Sequence, residues 1–393
     1  MRIAFVHDHP FLEMDGEFYS QGGLPKNIWG RYLRLFDEVA VIGRRLKSHK
    51  NTHGLVLSST DNVTFHLIDK MNSPLDAFIK RGQIKNDLKK VLKNCDAAVI
   101  RLPSELGFLA VDICRTEKVP YLLEVVGCAW DSLWNYGSIF GKMLAPVSYV
   151  RMKASVKNAA FSIYVTQQFL QQRYPSRGKV VGISDASINT ANEDVLNARL
   201  NKIAAIRNGD PLKIGLIGSM FVKYKGHQEL LKAVALLKDR FNFQLYFVGQ
   251  GDGEWIKALA AQLGISDKVH LLYRLEAGEA IFNFLDGIDL YVHPARVEGL
   301  PRVVVEAISR ACPSLTSDIG GLHELTDSRF IHHAGDYKTL ADQLAVIAAN
   351  PSMMEEMARK NFERAAEYDQ NVLSKRRTDF LQDFHNHVSM NSR

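Results

Sequence analysis

Two carboxylates stand eight positions apart in Glu298-Gly-Leu-Pro-Arg-Val-Val-Val-Glu306, and the residues between them limit what the pair can do. Pro301 suits the first helical position, where its missing N–H costs nothing and its fixed φ is already helical. The N–H groups of Arg302 and Val303 then face the preceding loop, and a helix end of that kind attracts phosphate through free donors and dipole. Glu298 sits in the loop and Glu306 about one and a half turns into the helix. An anion site flanked by two acceptors suits a nucleotide sugar, whose ribose and hexose both offer hydroxyls; the plainer reading is a pair of solvated glutamates. A second candidate is Lys225, at the end of Gly218-Ser219-Met-Phe-Val-Lys223-Tyr-Lys225-Gly226. A fixed cation there would stabilise a departing phosphate where its charge appears; alone, Lys-Gly is a surface turn.

These residues need scaffolding, and the chain supplies it by alternating strand-like and helical runs, the pattern of parallel sheets covered by helices. Strands are predicted over Arg2–Val6, Glu38–Ile42, Val63–Ile68, Ala97–Leu102, Tyr121–Val126 and Phe161–Val165. The cycle restarts at Lys213–Ile217, Gln244–Val248, Val269–Leu272, Leu290–Val292 and Ser314–Thr316. The expected fold is α/β: two doubly wound Rossmann-like domains facing across a cleft, 1–190 and 212–365, with the polar, Asn- and Asp-rich stretch 191–211 as linker. Ligands of such sheets bind at the carboxyl ends of the strands. Gly249-Gln-Gly251-Asp-Gly253-Glu254 follows one strand, but Glu254 stands where a dinucleotide fingerprint requires glycine. Gly22-Gly23 follows the first strand, and paired glycines let backbone N–H groups approach a diphosphate closely.

The run from Asp289 to Glu324 carries more than the glutamates: Asp-Leu-Tyr-Val-His-Pro (289–294), Ala-Ile-Ser-Arg-Ala-Cys-Pro (307–313) and Asp-Ile-Gly-Gly-Leu-His-Glu (318–324). Together they resemble the donor-binding signature of retaining GT-B glycosyltransferases of the family 4 type, the glycosyl transferases group 1. The resemblance implies that Glu306 holds the ribose hydroxyls, Glu298 lies against the donor sugar and Lys225 grips the diphosphate. It places Gly218, Ser219, Gly249, Gly299, Leu300 and Arg302 around the donor, Arg274 at the base, and Gly22 and Gly23 in a loop that closes the site. It also implies that the C-terminal helix, 366–393, crosses back onto the first domain.

The departures are specific. Many relatives have Gly-Phe-Gly after the first glutamate, where this chain has Gly299-Leu300-Pro301-Arg302, and an arginine where it has Ser219, leaving Lys223 or Arg302 to compensate. Where relatives carry a histidine, Leu122–Asp131 offers Glu124, Gly127 and Asp131. Glu124 is therefore a candidate to orient an acceptor hydroxyl, or else to bind backbone groups. Residues 124–175 also resemble enzymes of bacterial capsule or exopolysaccharide assembly. The implied activity is retaining, metal-independent transfer from a UDP- or GDP-sugar to a hydroxyl, without a cofactor; no Asp-x-Asp element is present to hold a metal. A nucleotide-sugar epimerase, or a non-catalytic protein that binds an anionic surface, would fit the same scaffold.

Composition agrees with a soluble chain of 393 residues, 46% apolar, expected in the cytoplasm. The four cysteines (95, 114, 128, 312) show no metal or disulfide spacing and read as reduced core residues. Of the net charge of +6, residues 1–190 carry an excess of positive charge and the remainder a slight negative one. Basic residues gather at Lys80-Arg81, Lys85, Lys89-Lys90 and Lys93, and again at Lys142, Arg151, Lys153 and Lys157. The asymmetry suggests peripheral contact with an anionic membrane and, with the resemblance, a lipid-linked saccharide as acceptor. No nucleic-acid module is present.

Overall fold

The computed structural model describes residues 1–21, 23–46, 55–69, 80–134, 139–189, 192–207 and 209–391. The chain divides into two compact units, one made of Met1–Trp134, Ser138–Ile183 and Ser374–Arg393, the other chiefly of Ser184–Leu373.

The first unit is built on β1 (Arg2–Met14), β2 (Glu17–Ser20), β3 (Glu38–Arg45), β4 (Val56–Leu57), β5 (Val63–Ile68), β6 (Ala97–Leu102), β7 (Tyr121–Val125), β8 (Phe161–Tyr164) and β9 (Lys179–Gly182). Its parallel strands run β5-β3-β1-β6-β7-β8-β9, so the order reverses between β1 and β6. The central strands are buried along their length because helices cover both faces; all six residues of β6 are buried, Arg101 among them. β1 runs eight residues beyond the expected Val6: its register shifts between Val6 and Pro10, and its far end pairs antiparallel with β2, which continues to β4. The helix Gln370–Asn391 enters this unit from Ser374 and packs Phe380 and Phe384 against Phe161, ring centroids 5.7 and 5.4 Å apart.

The second unit contains β10 (Leu212–Ile217), β11 (Phe243–Val248), β12 (Val269–Tyr273), β13 (Leu290–His293), β14 (Ser314–Ser317) and β15 (Ile331–His332), all parallel, in the order β12-β11-β10-β13-β14-β15. Its reversal falls between β10 and β13. The linker expected at 191–211 is not a separate element. Residues Glu193–Ala204 form a helix of the second unit, where the Arg199 guanidinium donates to the carbonyls of Ile288 (2.6 Å) and Leu285 (2.7 Å), beside Lys202 on Asp286 (2.8 Å). Polar composition suggested a spacer, but these cations cap carbonyl groups at the end of the helix Glu279–Gly287.

Candidate active site

The second unit brings its main candidates together at the point where strand order reverses. Lys225 belongs to the loop after β10, and Glu298 to the loop after β13, the two strands flanking the reversal. The loops are fixed by close backbone approaches. Gly226 adopts φ +85°, and a Cβ there would lie 2.2 Å from the Pro294 carbonyl oxygen. Arg296 N donates to Tyr224 O at 2.7 Å, and Gly321 N to Gly299 O at 2.6 Å. Gly320, at φ +55°, leaves no room for a Cβ against the Glu298 carbonyl.

Held in this way, Lys225 Nζ lies 2.5 Å from Glu298 Oε1, and the same oxygen accepts from His293 Nε2 at 3.0 Å. Tyr291 lies 3.1 Å from Nδ1 of His293. A carboxylate only accepts, so Nε2 carries the proton; in the neutral ring Nδ1 then accepts from the Tyr291 hydroxyl. Tyr291 is fully buried, and burial holds its phenol well above the ordinary value, so it serves as a donor and not as an acid. Burial pushes the Glu298 carboxyl up, but the His293 hydrogen bond and the Lys225 ammonium outweigh it and hold the pKa below normal. The result is a buried chain, Tyr291–His293–Glu298–Lys225, ending in a cation. The sequence motifs do not distinguish His293 from its neighbours; its one signal is its place as the last residue of a buried strand, five residues before the glutamate.

Glu306 lies on the helix Arg302–Ser309, buried, with Arg302 Nε 2.9 Å from its Oε1. Burial raises its pKa against the opposing charge of Arg302. Pro301 is the cap and not the first helical residue: its ψ of 120° is extended, and the first helical hydrogen bond runs from Val304 N to its carbonyl. Gly218 and Gly249 meet where β10 and β11 end, and a Cβ on Gly249 would fall 1.9 Å from the Gly218 carbonyl oxygen. Ser219 accepts weakly from Phe221 N at 3.4 Å. Of the two residues offered to replace the missing arginine, Arg302 is engaged with Glu306 and Lys223 lies over the Trp255 ring at 5.8 Å. Leu300 packs against the core beneath the helix, and Arg274 is exposed beyond β12.

Residues 201–364 match the family model described as Glycosyl transferases group 1. Protein CapJ of Staphylococcus aureus is 37% identical, over 86% of this chain and 83% of its own. This chain belongs to the group 1 glycosyltransferases. The transferase is also 24% identical, over 74% of its length and 78% of the relative's, to the N,N'-diacetylbacillosaminyl-diphospho-undecaprenol alpha-1,3-N-acetylgalactosaminyltransferase of Campylobacter jejuni. The structure of Anabaena HepE in complex with UDP and glucose superposes with a TM-score of 0.62 at 16% identity, covering 97% of the transferase and 99% of HepE; the fold is GT-B.

The first unit treats its candidates differently. Glu124, expected to orient an acceptor, is 2% exposed at the end of β7. Its Oε1 accepts from Tyr32 at 2.8 Å and lies 3.4 Å from Arg377 NH1, while Oε2 lies 3.2 Å from Arg101 Nε. A carboxylate closed in by a phenol and two guanidiniums ties the C-terminal helix to the sheet and offers no open face to a substrate. Gly23 packs on His9, whose ring would lie 2.9 Å from a Cβ there. Burial and the charges of Arg101 and Arg44 lower the His9 pKa to about 4. Gly22 lies outside the described residues. Asp131 pairs with Arg173 at 3.0 Å. The four cysteines are free and buried. Among the described residues no cluster of three or more His, Cys, Asp or Glu is placed to hold a metal.

Proposed function

We propose that this transferase moves a sugar, with retention and without a metal, from a UDP- or GDP-sugar to a hydroxyl of a lipid-linked saccharide in cell-surface polysaccharide synthesis, working in the cytoplasm in peripheral contact with the membrane. The observation that carries the chemistry is the Lys225–Glu298 pair at the reversal of strand order. A diphosphate arriving there competes with Glu298 for the ammonium. Once Lys225 turns to the phosphate, Glu298 keeps the hydrogen bond from His293 and remains a buried acceptor for the donor sugar. As the bond from the anomeric carbon to the phosphate oxygen breaks, its electrons pass to that oxygen beside Lys225. The acceptor oxygen attacks from the same face, and the departing phosphate oxygen takes its proton. Glu306, displaced from Arg302, accepts from the ribose. The acceptor class is supported by the undecaprenyl-linked substrate in the C. jejuni relative's name, and the nucleotide by UDP in HepE.

The test is calorimetric titration of the purified protein with UDP, GDP, ADP and NAD, repeated with Glu306→Ala, followed by NMR of the product's anomeric configuration in the presence of EDTA. Binding of one nucleoside diphosphate that the substitution abolishes, with a retained anomer, is the expected result. Preference for NAD, conversion of the donor without an acceptor, or an inverted product would overturn it.

A further inference from the structure

The helix Ile139–Lys157 of the first unit has two apolar faces. One is buried through Gly141, Ala145, Met152 and Val156. The other lies open: Ile139 is 81% exposed, Phe140 55%, Met143 71%, Val147 63% and Val150 65%. At about 100° per residue these five fall within one sector roughly 100° wide, opposite the buried face. Scattered exposed apolar residues are ordinary, whereas a continuous stripe of large ones marks an interaction surface.

The charges around the stripe say what it meets. Lys142 and Lys153 run along one edge, their ammonium groups over the rings of Trp134 and Tyr149, each at 5.8 Å. Among the described residues neither is paired with a carboxylate, and the helix contains no Asp or Glu. In the other basic run three lysines at the end of the helix Arg81–Leu92 are paired: Lys89 is 2.5 Å from Glu117, Lys93, just past the helix, 3.0 Å from the same carboxylate, and Lys90 3.8 Å from Asp87. Across the stripe Arg151 is occupied by Glu105 (3.0 Å) and Asp112 (3.7 Å), so pairing two copies of the open helix would set Lys142 and Lys153 against a helix that has no carboxylate of its own to receive them. An apolar stripe with unpaired cations on its rim and amphipathic aromatics beside them is complementary to an anionic bilayer.

We propose that the face formed by Ile139, Phe140, Met143, Val147 and Val150, rimmed by Lys142 and Lys153, lies in the headgroup region of an anionic membrane. The proposal rests on the reading of a lipid-linked acceptor but is read out without sugar transfer. The full chain is floated with vesicles of phosphatidylcholine alone or mixed with phosphatidylglycerol, and nucleotide titration serves as the folding control. Wild type should float with the anionic vesicles. M143Q/V147Q/V150Q should partition about tenfold less or worse while binding nucleotide as before, and K142Q/K153Q should lose the preference for anionic lipid. Wild type that stays unbound, a triple variant that floats like wild type, or a dimer in sedimentation that the triple variant dissolves without any vesicle binding would each overturn the assignment. A protein that floats as described but fails to transfer sugar would overturn the acceptor reading and leave the surface standing.

Discussion

Replacing Glu124 separates a structural carboxylate from a catalytic one. Its side chain is 3% exposed and those of Arg101 and Arg377 are 11% and 10%, so Glu124→Ala strips the shared carboxylate from two guanidiniums that water cannot reach well. Breaking a buried pair by removing one partner costs about 3–5 kcal/mol, largely from the charge left behind. The Tyr32 phenol, whose pKa burial raises, loses its acceptor in the same step. For a unit of this size about 2–4 °C of melting temperature accompanies each kcal/mol, so the first unit should melt roughly 6–20 °C lower. Glu124→Gln, which keeps the shape and one acceptor, should fall between. The assay is thermal and urea unfolding followed by hydrogen exchange in β7 and the C-terminal helix, with kcat and KM measured well below the lowered transition. A Glu124→Ala protein that melts with wild type yet loses turnover would refute this reasoning and return Glu124 to the acceptor site.

Four further outcomes follow from the geometry. Lys225→Ala should lower kcat much more than it weakens nucleotide binding, by roughly 2–4 kcal/mol in activation free energy, as the loss of a group acting on the developing charge requires; equal losses in kcat and binding would contradict it. Gly249→Ala should abolish nucleotide binding while the first unit stays folded, because a Cβ 1.9 Å from the Gly218 carbonyl must part β10 from β11; intact binding would show that the strand ends give way freely. Burial lowers the pKa of both His227 and His332 to about 4. Their contribution to the second unit is therefore present above the unfolded value of 6.5 and lost as pH falls toward about 4, at a slope of about 1.4 kcal/mol per pH unit for each. A urea midpoint of the second unit that holds steady from pH 7 to pH 4.5 would rule this out. His293→Phe should leave Lys225 paired with Glu298 but reduce kcat by about tenfold, the worth of one hydrogen bond to a charged group, since Glu298 loses the donor that remains when Lys225 moves; unchanged turnover would make His293 a packing residue.

The donor side was readable because its signals are local. Glu298, Pro301 and Glu306 lie within nine consecutive residues, and Lys225 sits beside a glycine whose left-handed backbone the turn demands. The alternation of strands with helices likewise survives in the sequence, since buried parallel strands are mainly apolar runs of strand length. What escaped was set by distance along the chain. Glu124 looked like an available carboxylate because its partner Arg377 stands 253 positions away. Arg199 and Lys202 looked like a spacer's charges because the carbonyls they cap belong to Leu285, Asp286 and Ile288. The open stripe of Ile139–Lys157 was hidden for the opposite reason: apolar residues on both faces of one helix cancel the periodicity that would have revealed either.

The closure of the first unit by Ser374–Arg393 sets an order of events during synthesis. Phe161 cannot meet Phe380 and Phe384, nor Glu124 its second guanidinium, until the ribosome has passed the whole intervening unit, Ser184–Leu373. At about 5–20 residues per second, those roughly 190 residues take on the order of 10–40 s. During that interval the nascent first unit carries an uncovered aromatic patch and a half-neutralised carboxylate, while the second unit has all of its own strands in hand and can fold first. The earlier-made half of the transferase is thus the later to finish, and it is the half with exposed aromatic surface to shield in the meantime.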